Sequence, residues 1–270
     1  MAGALVTGAG RGLGLEIARV LVRRGHVVCV TDVDGDAAAA AAEQLGEAAL
    51  ASALDVRDPD ACRAAARQVA ERAGSLDVWV NNAGVLFPGL PWEHDDEVLR
   101  TTLDVNALGT MHGTRAALEV MRPAGRGHIV NIVSLAGLVA APGEVVYSAS
   151  KHAAIAFSLG TLFDLRRSGE KHIHISCVCP DGIWTPMLQE TVHDPHTVAS
   201  YTGRLLRPEE VAEQVGKLLD RPRPVRSIPR SRGLQVRLFD LWPRLMLAVI
   251  GPLERIGRLK QARVARRGGR

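Results

Sequence analysis

Tyr147 and Lys151 stand four residues apart in the run "YSASK". If that run is helical, the two side chains share a face one turn apart. A phenol with a pKa of about 10 is a weak base at neutral pH. A lysine ammonium about 4 Å away, at an effective dielectric of about 20, favours the phenolate by up to about 4 kcal/mol. That would bring the phenol toward the range useful for proton transfer. The chain has only two tyrosines, and of Tyr147 and Tyr201 only the first has lysine at i+4.

A second constellation opens the chain. In "ALVTGAGRGLG" glycine falls at positions 8, 10, 12 and 14. The dinucleotide fingerprint G-x-G-x-x-G, counted from Gly8, would need glycine where Leu13 stands. Small residues between a first strand and a first helix still let backbone approach a pyrophosphate, with helix N–H groups and a partial positive charge facing it. The next apolar run, "HVVCVTD", ends in Asp32, 20 residues after Gly12, where a carboxylate can accept hydrogen bonds from an adenosine ribose. The same carboxylate repels a 2′-phosphate, which favours NAD over NADP. Arg11 pulls mildly the other way, whereas Val33 and Asp34 bring no positive charge.

These residues need a scaffold, and the chain alternates between apolar runs and amphipathic stretches. "ALVTG", "HVVCVTD", "AALASALDV", "LDVWVNNAG", "GHIVNIVS" and "HIHISCVCP" read as six strands. Helices are expected between them, including one long helical region from about His94 to Met121 and one starting at Tyr147. Strands separated by helices imply right-handed crossovers and an α/β fold, a Rossmann-like doubly wound parallel sheet. Ligands in such sheets bind at the carboxyl ends of the strands. One domain is expected over residues 1–222, followed by a basic, helical C-terminal extension over 223–270.

Three motifs in order, T-G-x-x-x-G-x-G (Thr7, Gly8, Gly12, Gly14), N-N-A-G (Asn81 to Gly84) and Y-x-x-x-K (Tyr147, Lys151), resemble the short-chain dehydrogenase/reductase family, over about residues 3–220. The resemblance implies an oxidoreductase that moves hydride between a nicotinamide cofactor and an alcohol or ketone. It makes Tyr147 the acid/base, Lys151 its electrostatic partner and ribose ligand, Ser134 the substrate-orienting hydroxyl and Asn106 a relay. It places the cofactor against Gly8, Arg11, Gly12, Leu13 and Gly14, against Asp32, Asp55 and Val56, and against Asn82, Ala83 and Gly84. Tyr147, Lys151, Pro180, Ile183 and Thr185 complete that set. Asp181 departs from the pattern, standing where the family has glycine; it is read either as a substrate contact or, by preference, as a solvated turn residue.

The substrate wall is expected to be apolar, with Leu135, Val146, Trp184 and Met187 foremost, Val139, Val145 and Leu188 beside them and Phe87 and Trp92 near. An apolar secondary alcohol or ketone, steroid-like, terpenoid or aromatic, is the expected substrate. The alternatives are an NADPH-dependent 3-ketoacyl-thioester reductase, which Asp32 disfavours, and a nicotinamide-sensing protein without turnover.

Composition bounds the partners. The net charge is +4, but residues 221–270 carry 14 Lys/Arg against Asp240 and Glu254, leaving the first 220 residues at −8. Leu238, Leu241, Leu245 and Val249 form an apolar stripe, bent at Pro243, for which covering the pocket, packing on a partner subunit and lying on an anionic membrane surface are the readings. No aromatic residue is interleaved in the basic end to stack on bases, so nucleic acid is not expected. The four cysteines lack C-x-x-C spacing, nine histidines assemble no metal site, and "MAGALVTG" has no secretion-signal pattern. A cytoplasmic homodimer or homotetramer is expected.

Overall fold

The structure, a computed structural model, describes residues 2–267. Its elements follow the anticipated alternation. Strand β1 (Ala2–Thr7) leads to helix α1 (Gly12–Arg23), β2 (His26–Asp32) to α2 (Gly35–Leu45), β3 (Ala49–Ala53) to α3 (Pro59–Ala73) and β4 (Val78–Asn81) to α4 (Asp96–Leu103). After α5 (Gly109–Ala124) come β5 (Gly127–Ile132), α6 (Val145–Arg167), β6 (Ile173–Pro180), the short α7 (Pro186–Glu190) and α8 (Pro208–Asp220). Helix starts obey local chemistry: the Asp34 and Asp58 side chains each accept two backbone N–H bonds at the heads of α2 and α3.

With a last strand, β7 (Val225–Ile228), all strands are parallel, in the order β3-β2-β1-β4-β5-β6-β7. The winding reverses between β1 and β4, which pair at Ala4 with Val78 and Val6 with Val80. Both faces are covered. Ile17 and Leu21 of α1 pack with Val211 and Val215 of α8 on one side. Trp79, Met121 and Leu162 pack with α3 and α5 on the other. Such two-sided burial explains why the strands read as continuous apolar runs.

Three expectations need correction. The long helical region is broken by a widened π-helical turn at Asp104–Leu108 between α4 and α5. A seventh strand, β7 (Val225–Ile228), pairs with β6 from Cys177↔Val225 to Pro180↔Ile228, so the sheet runs past residue 222; flanked by arginines and prolines, it lacked the length and alternation of a strand. The extension is two helices, α9 (Arg230–Leu241) and α10 (Pro243–Arg267), divided at Pro243 rather than one bent helix. Among the described residues, no helix is long and apolar enough to cross a membrane.

Candidate active site

The carboxyl ends of the strands open into one cavity of about 770 Å³. Its floor at one end is the glycine loop. Gly8 and Gly12 have φ of +60°, a region costly for residues with a Cβ. Close approach explains the others: a Cβ on Gly14 would stand 2.3 Å from Gly8 O, and one on Gly10 2.8 Å from the Ala37 Cβ. Helix α1 has neither a side-chain cap nor an acidic residue in its first turn, so its leading N–H groups face the cavity end uncapped by side chains. Gly8, Arg11, Gly12, Leu13 and Gly14 all line this end.

The N-N-A-G segment locks the loop from behind. Asn82 Nδ2 donates to the carbonyls of Thr7 (3.0 Å) and Gly8 (2.8 Å), and the N–H groups of Asn82 and Ala83 both reach Thr7 Oγ1 at 3.0 Å. Asp32 Oδ2 accepts from Gly10 N–H at 3.0 Å, tying the end of β2 to the same loop. Asp55 and Val56 line the wall. The Arg57 guanidinium clasps the Asp55 carboxyl, with Nη2 2.6 Å from Oδ2, and holds it below the usual carboxylate range. Arg11 makes an ion pair with Glu190 at 3.0 Å. These donors, glycines and carboxylate fit a dinucleotide, with Asp32 able to take a ribose hydroxyl and the head of α1 able to take phosphates.

At the other end Tyr147 and Lys151 rise from α6 into the cavity. Lys151 is 3% exposed. Its Nζ donates to Ile132 O at 3.1 Å and stands 5.5 Å from the centre of the Tyr147 ring. Burial pushes the ammonium down to about 8. Burial likewise raises the Tyr147 phenol, and the nearby Glu144 adds to that, while a hydrogen bond with Ser134 opposes it. Burial thus moves the phenol up, contrary to the lowering expected from Lys151.

Asn106 lies on the π-helical turn, fully buried. Its amide exchanges bonds with the Val85 backbone (2.8 and 2.9 Å) and donates to Ser150 Oγ at 3.1 Å. It does not line the cavity, but a Cβ on Gly84 would sit 3.1 Å from its Oδ1 and 3.5 Å from Lys151 Nζ, so glycine lets both groups converge there.

Pro180, Ile183, Thr185, Leu135 and Met187 line the cavity as expected, and Val139 and Leu188 join them. Val146, Trp184, Val145, Phe87 and Trp92 do not. Helical geometry turns Val146 about 100° and Val145 about 200° from Tyr147. Trp184 alternates with the inward Ile183 and Thr185 and bonds to Leu206 O at 2.9 Å. Phe87 and Trp92 are 38% and 77% exposed.

Asp181 is not a solvated turn residue. It is buried and paired with Arg232 of α9, Nε to Oδ2 at 2.8 Å, while Arg232 Nη2 reaches Thr202 Oγ1 at 2.9 Å. This ion pair draws the extension over the cavity mouth, where Val236, Phe239, Met246, Ile250 and Leu253 form the cover. Three of the four residues of the anticipated stripe face outward instead, Leu238, Leu241 and Leu245 each being more than 40% exposed, while Val249 is half-buried. Glu144, Arg57, Ser200 and Arg232 also line the cavity and were not picked out in the sequence. Only the three-residue offset of Glu144 from Tyr147 could have signalled one of them.

Comparison with known proteins agrees with this geometry. A family model described as short chain dehydrogenase matches residues 2–196. A putative ketoacyl reductase of the monensin polyketide synthase, from Streptomyces virginiae, is 36% identical over 80% of this chain and 88% of its own length. Mouse estradiol 17-beta-dehydrogenase 11 is 30% identical over 91% and 81%. Among solved structures, a short chain dehydrogenase/reductase from Burkholderia phymatum in complex with NAD superposes with a TM-score of 0.81 at 27% identity, covering 90% of this chain and 94% of that one. A variant actinorhodin polyketide ketoreductase with NADPH gives 0.75 at 33% identity, covering 83% and 94%.

Proposed function

Because the chain belongs to the short-chain dehydrogenase/reductase family, oxidoreductases of alcohols and ketones, we propose that it uses NAD to interconvert an apolar secondary alcohol and its ketone. The observation that carries the cofactor choice is Asp32 at the ribose position, with both nearby cations engaged: Arg11 by Glu190 and Arg57 by Asp55. A 2′-phosphate would face a carboxylate whose two neighbouring arginines are already paired with acids. The apolar cover from α9 and α10 favours a bulky, poorly solvated substrate.

In this reading the Ser134 hydroxyl and the Tyr147 phenol hold the substrate oxygen together. A bound nicotinamide supplies the hydride acceptor for an alcohol or, when reduced, the donor for a ketone. Tyr147, protonated at neutral pH, gives its proton to the ketone oxygen in reduction and must lose it before oxidation can begin. Lys151 steadies the phenolate that remains, and Asn106 holds the chain beside it. The extension keeps water from the reacting carbon. Exposed Leu103, Leu108 and Phe163 on the two long helical elements support a homo-oligomer formed there.

The test is cofactor reduction followed by absorbance with NAD and NADP in parallel, across hydroxysteroids, aromatic secondary alcohols and 3-hydroxyacyl thioesters. Turnover of bulky alcohols with NAD is the expected result. Activity confined to thioesters with NADP would replace this reading with that of a ketoacyl reductase.

A further inference from the structure

Two buried acids line the cavity, Asp181, which is paired with Arg232, and Glu144, for which the reaction above has no use. Glu144 is 3% exposed and heads α6, three residues before Tyr147. Gly143, at φ +78°, presents it; a Cβ there would collide with His196 O at 2.2 Å. The Gly89 N–H bond to Gly143 O (2.8 Å) pins the same turn from the other side. Among the described residues, the carboxyl takes its hydrogen bonds from one residue, Ser200, whose Oγ donates to Oε1 at 2.7 Å and whose backbone N–H donates as well. A buried carboxyl ordinarily has its capacity filled; here the remainder faces the cavity. Burial, with Asp181 nearby, lifts it to about 7, so both its donor and acceptor forms are present near neutrality.

We propose that Glu144, oriented by Ser200, is a second polar subsite that hydrogen-bonds a hydroxyl carried one or two carbons from the carbon being oxidised. The preferred substrates are then bulky 1,2- or 1,3-diols and the matching hydroxyketones. The inference rests on the reading of Tyr147 and Ser134 as the grip on the reacting oxygen. Glu144 caps the first turn of the helix that carries Tyr147, lines the same cavity and is close enough for its charge to act on the phenol. Two side chains so near each other, each reaching inward by one hydrogen bond, suit two oxygens on neighbouring carbons of one substrate. Much of the rest of the wall is aliphatic and Arg232 is held by Asp181, while Glu144, which among the described residues pairs with no cation, is the buried acid on the Tyr147 side of the cavity.

The experiment compares 1-indanol with cis- and trans-1,2-indanediol, using the full chain and NAD. Wild type, Glu144→Gln and Glu144→Leu are assayed for kcat/KM, and binding of each alcohol in the presence of NADH is measured by calorimetry. The expected result is a preference of about tenfold for one diol isomer, the worth of one hydrogen bond to an ionisable group, that shrinks in Glu144→Gln and falls to about one in Glu144→Leu. The ratio cancels any general damage from substitution. Equal use of diol and indanol by wild type, or a preference that survives in Glu144→Leu, overturns the subsite while leaving the alcohol dehydrogenase reading in place. Turnover of neither alcohol counts against that reading instead, and the calorimetry then decides: tighter diol binding lost in Glu144→Leu supports the subsite, and equal binding overturns it.

Discussion

The two ends of the cavity are built by different means. The nucleotide end is mostly backbone: glycines that admit close approach, uncapped N–H groups of α1, and the Asn82 amide binding the carbonyls of Thr7 and Gly8. Nearly all of it comes from the first 84 residues and from segments touching one strand junction. The substrate end is mostly side chains, drawn from the head of α6, the segment around Ser200 and two helices near the C-terminus. An ion pair between Asp181 and Arg232, 51 positions apart, ties α9 to it. The first kind of site tolerates little change in backbone shape. The second can change specificity by exchange of single side chains, within a frame that must stay dry and closed.

The sharpest way to separate the ends is Tyr147→Phe. Turnover should fall by about 10²–10⁴, the usual scale for losing a positioned acid or base, while NADH binding, followed by fluorescence, stays within a few-fold. Comparable loss of both would mean that the ends are not separable. Next, Arg232→Met strands a buried carboxylate and should cost about 3–5 kcal/mol of stability in denaturant melts. Adding Asp181→Gly should restore most of it; a double variant as unstable as the single one would remove the ion pair's role in holding the cover.

At the nucleotide end, Gly14→Ala forces a Cβ against Gly8 O and the Asn82 amide. It should cost about 1–3 kcal/mol through overpacking and weaken both NAD and NADP. Asp32→Ala instead should narrow the preference for NAD by about tenfold or more with little change in melting temperature, since one repulsive charge is removed. An unchanged ratio would show that Asp32 does not choose the cofactor.

The mildest probe is pH. Glu144 has its pKa raised from 4.5 to about 7, so the folded state binds the extra proton. Its contribution to stability is present below about 4.5 and lost as pH rises toward about 7, at no more than about 1.4 kcal/mol per pH unit. Lys151, lowered from 10.5 to about 8, works oppositely and adds stability as pH rises from about 8 to 10.5. Glu144→Gln should therefore flatten the stability profile between pH 4.5 and 7 without altering it above 8. A profile unchanged below pH 7 would mean that the carboxyl titrates as if exposed.

The difference between the ends also explains what could be read in advance. The glycine loop, Asp32, Asn82 and the Tyr147–Lys151 pair are legible because their geometry is local: a turn, a strand end or one helical turn fixes each. Val146 and Trp184 misled because apolarity does not say which way a side chain points within a helix turn or an extended segment. Leu238, Leu241 and Leu245 misled for a related reason: α9 and the start of α10 are apolar on two sides, and periodicity alone cannot tell the covering side from the exposed one. β7 was missed because its neighbour in the sheet, not its own pattern, makes it a strand.

By itself the sequence determined the parallel α/β sheet, the glycine loop after its first strand and the shared face of Tyr147 and Lys151, since alternation, glycine placement and i,i+4 spacing act over a few residues. Only the tertiary structure decided that Asp181 pairs with Arg232, that α9 and α10 roof the cavity, and that Glu144 faces into it beside Tyr147. Those facts depend on segments distant in the chain meeting in space. Charge and burial there follow from what packs around a residue, and no local pattern encodes that.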